Sequence, residues 1–525
     1  MLYKPTIGLE IHIELNTKSK MFCSCRNDSS ETQANKNVCP VCLAHPGVLP
    51  VANKEAIKKL IKTALALNCQ TNKQSFFERK NYFYPDLPKG YQISQYQAPL
   101  SEKGYLDIKF QETRDPSSSP SVNSGHYGAG KKQTKRINIT RIHMEEDTGS
   151  LIHPDGTDYS LVNFNRSGVP LMELVTEPDF ETASEVKEFI KELQLILKYL
   201  NVSFANMEKG EMRAEINISL FPKSQETRNP SSSPSASSGH YGAGKKQTKL
   251  GTKVEVKNLN SIASAGLAVE YEIKRQTEIL EKGEKVIQET RGWHDAKKIT
   301  FPQRQKEQAH DYRYFPEPDL PPLNLSDEFI KNIKAELPEL PSEKRERFQK
   351  EYGLTTGDVD VFIGKKDLAN FFEKTISELR EWVGSEKGIE LKDEEIKKLA
   401  KITSNYLINK NNLKFTPENF AEFVKMIYLG EISSKIAKIV LEKMIQTGND
   451  PSHIIKEEGL SQISDVKEIK TIAKEVIKSN PKSVADYKKG KEASLQFLIG
   501  QVMAKSKGKA NPEVAREILQ KLCEN

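Results

Sequence analysis

Two stretches far apart in the chain alternate so strictly between apolar and polar residues that they decide what it can fold into. Ile7, Leu9, Ile11, Ile13 and Leu15 occupy every second position of the first, and Met212, Ala214, Ile216, Ile218 and Leu220 of the second. Successive side chains of a strand point to opposite faces, so each run predicts a strand with one apolar face. The opposite face then carries Glu10, His12 and Glu14 in the first run, and Arg213, Glu215, Asn217 and Ser219 in the second. A sheet with a buried back and an acid-bearing front follows. Helices to cover that back lie between the strands. Asn53 can cap a segment with Ile57, Leu60, Ile61 and Ala64 on one stripe, and Thr182 with Glu185 predicts a capping box ahead of Val186, Phe189, Ile190, Leu193 and Leu197.

The expected class is α+β, with an antiparallel sheet and helices over residues 1–330. After the Pro-rich stretch Pro316 to Pro322 the strand signal fades and Lys/Glu-rich helical periodicity takes over, predicting an all-α domain at 331–412 and an all-α tail at 413–525, the latter opened by Thr416-Pro417-Glu418. A chain of 525 residues has room for several such domains. Hydrophobic content of 37% and charged content of 29% describe a soluble protein, and no apolar run is long enough to cross a bilayer. The first residues enter a strand with no signal-peptide pattern, so a cytoplasmic location is expected. The net charge of +7 suits an RNA partner and equally a solvated charged surface.

One segment occurs twice. Gln111 to Lys135 and Gln225 to Lys249 differ at only three positions, are rich in Ser, Pro and Gly, and each interrupts strand-like sequence. Both are expected to be mobile hairpin-loop insertions. Gly125 to Lys131 and Gly239 to Lys245 imitate a phosphate-binding P-loop, but Lys132 and Lys246 stand where that loop needs a Ser or Thr for Mg²⁺. The P-loop reading is therefore set aside.

Chemistry is concentrated elsewhere. Cys23 and Cys25, then thirteen residues, then Cys39 and Cys42 pair two short thiolate steps that can wrap a tetrahedral metal, and structural zinc is the expected ion. Glu10 and His12 lie two apart on one strand face, a pair that suits a hard cation and that a solvated polar face explains as well. Glu173 interrupts the apolar run Val169 to Val175, where an unpaired carboxylate is costly to bury. His143 is followed closely by Glu145, Glu146 and Asp147, whose mutual repulsion a metal or basic residues would relieve, unless the run is an exposed turn.

These motifs resemble those of a family of tRNA-dependent amidotransferase components, the B subunits of the aspartyl/glutamyl-tRNA amidotransferases. The matching stretches are IGLEIHIEL from Ile7, TKSKMF from Thr17, HPGVLPV from His45, RKNYFYPDLPKGYQISQY from Arg79, ITRIHMEED from Ile139 and LMELVTEPD from Leu171. VKNLNS from Val256, QETRGW from Gln288, DYRYFPEPDLPPL from Asp311, SSKIAK from Ser433 and GQVMAKSKGKANP from Gly500 follow in the family's order. The resemblance implies a cradle-type domain that binds ATP, Mg²⁺ and the aminoacyl end of tRNA, then a helical domain, then a YqeY-like tail that contacts tRNA. It implies a carbon–nitrogen ligase: ATP phosphorylates the side-chain carboxylate of Glu-tRNA(Gln) or Asp-tRNA(Asn), and ammonia displaces the phosphate. By motif, the catalytic residues fall on Glu10, Glu146, Glu173, Glu215 and Lys80, with His12, Glu146 and Glu173 holding Mg²⁺. Glu215 stands where the family usually has Asp, and Lys80 resembles a position lining the family's ammonia path. No glutaminase nucleophile is visible, so the implied partners in a heterotrimer are an amidase, the A subunit, with the small C subunit joining the two. In the tail, Lys435, Lys438, Lys505, Lys507 and Lys509 are candidate contacts to tRNA phosphates or ordinary surface lysines. A pure RNA adaptor would need the basic tail without the acid front, and a stand-alone metal-dependent hydrolase the acids without the tail.

Overall fold

The computed structural model describes residues 2–28, 31–111, 132–223, 251–305, 312–387, 391–410, 413–460, 466–506 and 509–524. These form two compact units, 1–340 and 341–525.

The first unit is built on a nine-stranded sheet. Its strands in chain order are β1 (Tyr3–Glu14), β2 (Gln70–Thr71), β3 (Ser101–Gln111), β4 (Lys132–Glu146), β5 (Pro170–Thr176), β6 (Met212–Pro222), β7 (Val254–Leu259), β8 (Glu289–His294) and β9 (Ile299–Gln305). They lie side by side as β9-β8-β7-β6-β1-β5-β4-β3-β2. The two alternating runs are thus neighbours, β1 pairing antiparallel with β6 on one side and β5 on the other. The sheet is mixed rather than wholly antiparallel, because β7 and β8 run parallel. Parallel neighbours need a long crossover. The helix α3 (Ile262–Glu281), which follows α1 (Lys54–Ala66) and α2 (Ala183–Tyr199) in the chain, supplies it.

All three helices pack on the apolar back of the sheet. Ile7, Leu9, Ile11 and Ile13 are buried there with Ile216, Ile218, Leu60, Ile61, Phe189 and Val269. Each such side chain contributes about 1.5–3 kcal/mol by leaving water, so the alternation is strongly enforced. Asn53 caps α1 as expected, its Oδ1 accepting from the amides of Glu55 at 3.0 Å and Ala56 at 3.2 Å. The cap of α2 differs in one bond. Thr182 Oγ1 accepts from Glu185 N, but the Glu185 carboxylate accepts from the amide of Glu181, one residue before the cap, and also meets Lys135 at 3.0 Å.

A small three-stranded sheet, Phe315–Pro316 beside Glu78–Asn81 beside Tyr91–Ser94, brings Lys80, Gln92 and Tyr312 to the polar side of the large one. Of the first repeat copy, Gln111 and Lys132 to Lys135 are strand residues, Gln111 pairing with Lys132 across β3 and β4. The rest of that copy, all of the second copy and both P-loop imitations up to Lys131 and Lys245 lie outside the described residues.

The second unit is all helix in its described residues, apart from turns. Phe348, Phe362 and Phe372 form one aromatic core. Packing continues across residue 412: the helix Pro417–Tyr428, capped by Thr416 as expected, sets Phe420 against Phe371 and Phe423 against Tyr406. A separate core gathers Ile469, Leu498, Val502 and Leu519 near the end of the chain. Among the described residues, no helix is long and apolar enough to cross a membrane.

Candidate functional site

Register builds the site. Across four adjacent strands Arg213, His12, Glu173 and His143 stand directly opposite one another, and in the next row on the same face Glu10 faces Glu215. Two residues along β4 from His143 comes Glu145, opposite Leu171. These side chains, with Arg141 on β4 and Glu255 and Lys257 on β7, floor a cavity of about 850 Å³ that Lys80, Tyr82, Tyr312 and Tyr314 wall from above.

Within it, ligand-type atoms converge in overlapping groups: Glu10, His12 and Glu173; His143, Glu145 and Glu173; Glu10, Glu215 and Glu255. Glu173 is central and only 3% exposed, its Oε2 lying 3.4 Å from His12 Nε2 and 3.3 Å from His143 Nε2. The electrostatics reflect that crowding. Burial disfavours both imidazolium ions, yet the hydrogen bond and charge of Glu173 with the nearby carboxylates at His12, and the charges and hydrogen bonds of Glu173 and Glu145 at His143, together outweigh it, and both groups rise to about 9. Glu173 is correspondingly held well below the usual carboxylate range despite its burial. Burial pushes Glu145 up, but the Lys80 charge and the hydrogen bond and charge of His143 together outweigh it and bring it down to about 2. Glu10 moves the other way, raised to about 7 by burial and by the charges of Glu173 and Glu215. Burial lowers Lys80, but the charges of Glu145, 3.8 Å away, Tyr314 and Glu173 together outweigh it and hold the group well above its ordinary range.

A divalent cation fits this donor set. Carboxylates with a neutral imidazole suit a hard ion, and protons on the histidines are charges that such an ion would replace. His143 Nδ1 is buried and makes no hydrogen bond among the described residues. Two cations of the floor are fixed by acids: Arg213 donates to Asp147 Oδ2 at 2.9 Å, and Lys257 bridges Glu215 at 2.8 Å and Glu255 at 3.5 Å.

Of the residues picked out in the sequence, Glu10, His12, Glu173, Glu215 and Lys80 meet in this cavity. Glu146 does not. It stands opposite Pro170 on the other side of β4, paired with Lys89 at 2.6 Å and accepting from Ile93 N at 3.0 Å, in a separate cavity of about 260 Å³ beside Cys23 and Cys42. Glu145 occupies the place expected of it, fixed by Ser94 Oγ at 2.6 Å and Gln92 Nε2 at 2.9 Å. The signal was in the alternation: Ile142 and Met144 are core residues, so His143 and Glu145 face forward and Glu146 faces back. In the tail, Lys505 is paired with Glu475 at 3.0 Å, and Lys507 lies outside the described residues.

The four cysteines also converge, all four sulfurs lying within 4.8 Å of one another. Cys39 and Cys42 Sγ are 3.8 Å apart. Zinc–thiolate bonds of about 2.3 Å in a tetrahedron place sulfurs about 3.8 Å apart, so the spacing fits a metal clamp. Cys42 is drawn down to about 5, by the Cys23 thiol first and also by the Cys39 amide and Lys20, against its burial.

The family model described as the GatB/GatE catalytic domain matches residues 5–331, and the one described as the GatB domain matches residues 370–523. The chain belongs to the B-subunit family of the aspartyl/glutamyl-tRNA amidotransferases. A Thermotoga maritima protein, named as the B subunit of aspartyl/glutamyl-tRNA(Asn/Gln) amidotransferase, is 45% identical over 534 residues, covering 100% of both chains. Proteins of the same name from Persephonella marina and Brevibacillus brevis are 44% and 42% identical, over 99% of this chain and 100% and 98% of their own. The acid-floored cavity lies wholly within the stretch matched by this family's catalytic domain.

Proposed function

We propose that this chain is the carboxylate-activating component of a glutamine-dependent tRNA amidotransferase, working in the cytoplasm with an amidase (the A subunit) and the small C subunit. A carboxylate does not yield an amide with ammonia directly, because oxide would have to leave. In the proposed reaction the side-chain carboxylate of Glu-tRNA(Gln) or Asp-tRNA(Asn) attacks the γ-phosphorus of ATP and ADP departs. Ammonia then attacks the acyl carbon of the resulting acyl phosphate, inorganic phosphate leaves, and the nitrogen sheds a proton. The amide is left on the tRNA.

The observation that carries this reading is the pairing of acids with cations in one cavity: Glu10, Glu145, Glu173 and Glu215 share its floor with Arg213 and Lys257, below Lys80. Mg²⁺ would be held by Glu173 with Glu10 and His12, or with His143 and Glu145, and would neutralise phosphate charge during transfer. Arg213, aimed by Asp147, is placed to bind phosphate or carboxylate oxygens. Lys80 lies 5.2 Å from the Tyr312 ring and beside Glu145, a mount that directs its ammonium over the floor. Glu10 or Glu215 can take the proton the nitrogen sheds. A zinc ion on the four cysteines is assigned a purely structural part, since a closed four-thiolate shell leaves no position for substrate. The tail is assigned to tRNA contact through its lysines.

The test is γ-phosphate release from ATP by this chain assembled with the A and C subunits, with and without Glu-tRNA(Gln). Release that requires the mischarged tRNA and disappears in Glu173→Gln supports the reading. Turnover indifferent to the tRNA, or surviving that substitution, refutes it.

A further inference from the structure

Beside the cysteine cluster lies a lysine that the reaction above does not use. Lys20 is fully buried, its whole four-carbon stem enclosed along with the ammonium. Lysine almost never takes such a place without partners. Its Nζ donates to the carbonyl oxygen of Asn37 at 2.8 Å, reaches that of Phe164 at 3.5 Å, and lies 3.8 Å from Cys42 Sγ. Among the described residues no carboxylate is paired with it, so the counter-charge available is sulfur. Four thiolates around a divalent ion carry a net charge of about −2, which is costly to hold in a partly buried site unless a cation sits against it.

The contacts reach both halves of the cluster. The Lys20 amide donates to Cys25 O at 2.9 Å, on the first thiolate step, while Asn37 lies just before the second. Met21 N donates to Gly168 O at 2.7 Å, and Gly168 N to Asp147 O at 2.9 Å, which ties the same segment to the end of β4 and to the start of the strand that carries Glu173. At Gly168, where φ is +83°, a Cβ would stand 3.6 Å from both Lys20 Cδ and Cys42 Cβ. The lysine stem and Cys42 are packed in one compartment.

We propose that Lys20 is a positioning residue of the metal clamp, the buried cation that offsets the negative charge of the thiolates and fastens both cysteine steps to the catalytic sheet. The proposal rests on the zinc reading above. It differs from a packing role in one respect: a methionine of similar length fills the same space, so what is missed is the charge and its hydrogen bonds.

The experiment compares the full-length wild type with Lys20→Met and with Lys20→Gln, which keeps a donor for the carbonyl oxygens. Zinc content is measured, then the rate of zinc transfer to a chromogenic chelator, then the sulfur-to-metal charge-transfer band after loading with cobalt(II). The wild type should hold about one zinc per chain. Both variants should keep the wild-type circular dichroism spectrum and lose zinc faster by about 10–100-fold, the usual effect of removing a group that supports metal ligands. The cobalt band should move to lower energy in both, because a nearby cation stabilises the sulfur lone pairs. Should Lys20→Met fail to fold, Lys20→Gln carries the same comparison. Wild-type release rates and an unmoved band in the variants would overturn the role of Lys20 alone. A wild-type chain that holds no zinc and takes up no cobalt would overturn the zinc reading, and this proposal with it.

Discussion

Glu145 and Glu146 are adjacent in sequence and opposite in orientation, and the matched substitutions Glu145→Gln and Glu146→Gln separate the two faces of the strand. Glutamine keeps the shape of either side chain and removes its charge. At Glu145 the loss falls inside the cavity. Its oxygen lies 3.8 Å from Lys80 Nζ, an attraction of about 4 kcal/mol at an effective dielectric constant of about 20. Lys80 is 21% exposed, and halving the figure for screening leaves about 2 kcal/mol. That loss falls on stability, because Lys80 is left unpaired; the lost carboxylate ligand separately weakens cation binding, about 30-fold if it is worth about 2 kcal/mol. Glu146 has its charge partner, Lys89, in the neighbouring cavity. Its substitution leaves a nearly buried ammonium unpaired, at a cost of about 2–3 kcal/mol in stability, between the values for exposed and buried pairs. The assay is twofold: Mn²⁺ affinity of the full-length chain by electron paramagnetic resonance, and thermal unfolding. Glu145→Gln should weaken Mn²⁺ binding at least about 30-fold and lower Tm as well. Glu146→Gln should lower Tm and leave Mn²⁺ binding within about threefold of wild type. The reverse pattern would show that β4 presents its other face to the cation, and the site as built here would fall.

Three further outcomes are expected. Glu272 on α3 is fully buried, ion-paired with Arg275 at 2.8 Å and Arg291 at 3.3 Å, and Arg275 with hydrogen bonds from Thr300 and Gln276 holds its carboxyl below the usual range despite burial. A depressed folded-state pKa stabilises above the unfolded value of about 4.3 and is lost as pH falls through the folded value. Glu272→Gln should therefore cost about 3 kcal/mol at pH 7 in urea unfolding, and the gap to wild type should narrow below about pH 4; a gap independent of pH would contradict the network. Gly104→Ala would place a Cβ 2.2 Å from Cys69 Sγ and 2.7 Å from Leu67 O, so a loss of about 1–3 kcal/mol is expected in thermal melts, and an unchanged Tm would count against this packing. Replacing residues 112–131 by a short turn should leave Tm close to wild type, whereas removing 111–135 should lower it by cutting the β3–β4 ladder and the Lys135–Glu185 pair. Equal melting of the two deletions would contradict that boundary.

Sequence alone determined everything here that depends on local period and local chemistry. A repeat of two in Ile7 to Leu15 and Met212 to Leu220 assigned each side chain a face, because a strand has only two, and Asn53 and Thr416 announced helix starts because short oxygen-bearing side chains satisfy free amides there. The Cys23, Cys25, Cys39 and Cys42 spacing announced that these four thiols can converge, for the same reason of reach. Even the forward position of Glu145 was available from Ile142 and Met144, though motif matching passed over it in favour of Glu146. What the tertiary structure decided is which strands are neighbours. That β1 lies between β5 and β6, so that His12 and Glu173 stand in one row with His143, depends on pairings of β1 with residues more than a hundred positions away. The parallel contact of β7 with β8 is likewise a tertiary choice, which the crossover of α3 makes possible. The charge states follow from that assembly, because Glu10 rises to about 7 and His12 to about 9 only once several ionisable groups share a space from which water is largely excluded. Lys20 shows the same division: its sequence context gives no reason to bury it, and only the folded chain sets its ammonium against a sulfur and two carbonyl oxygens.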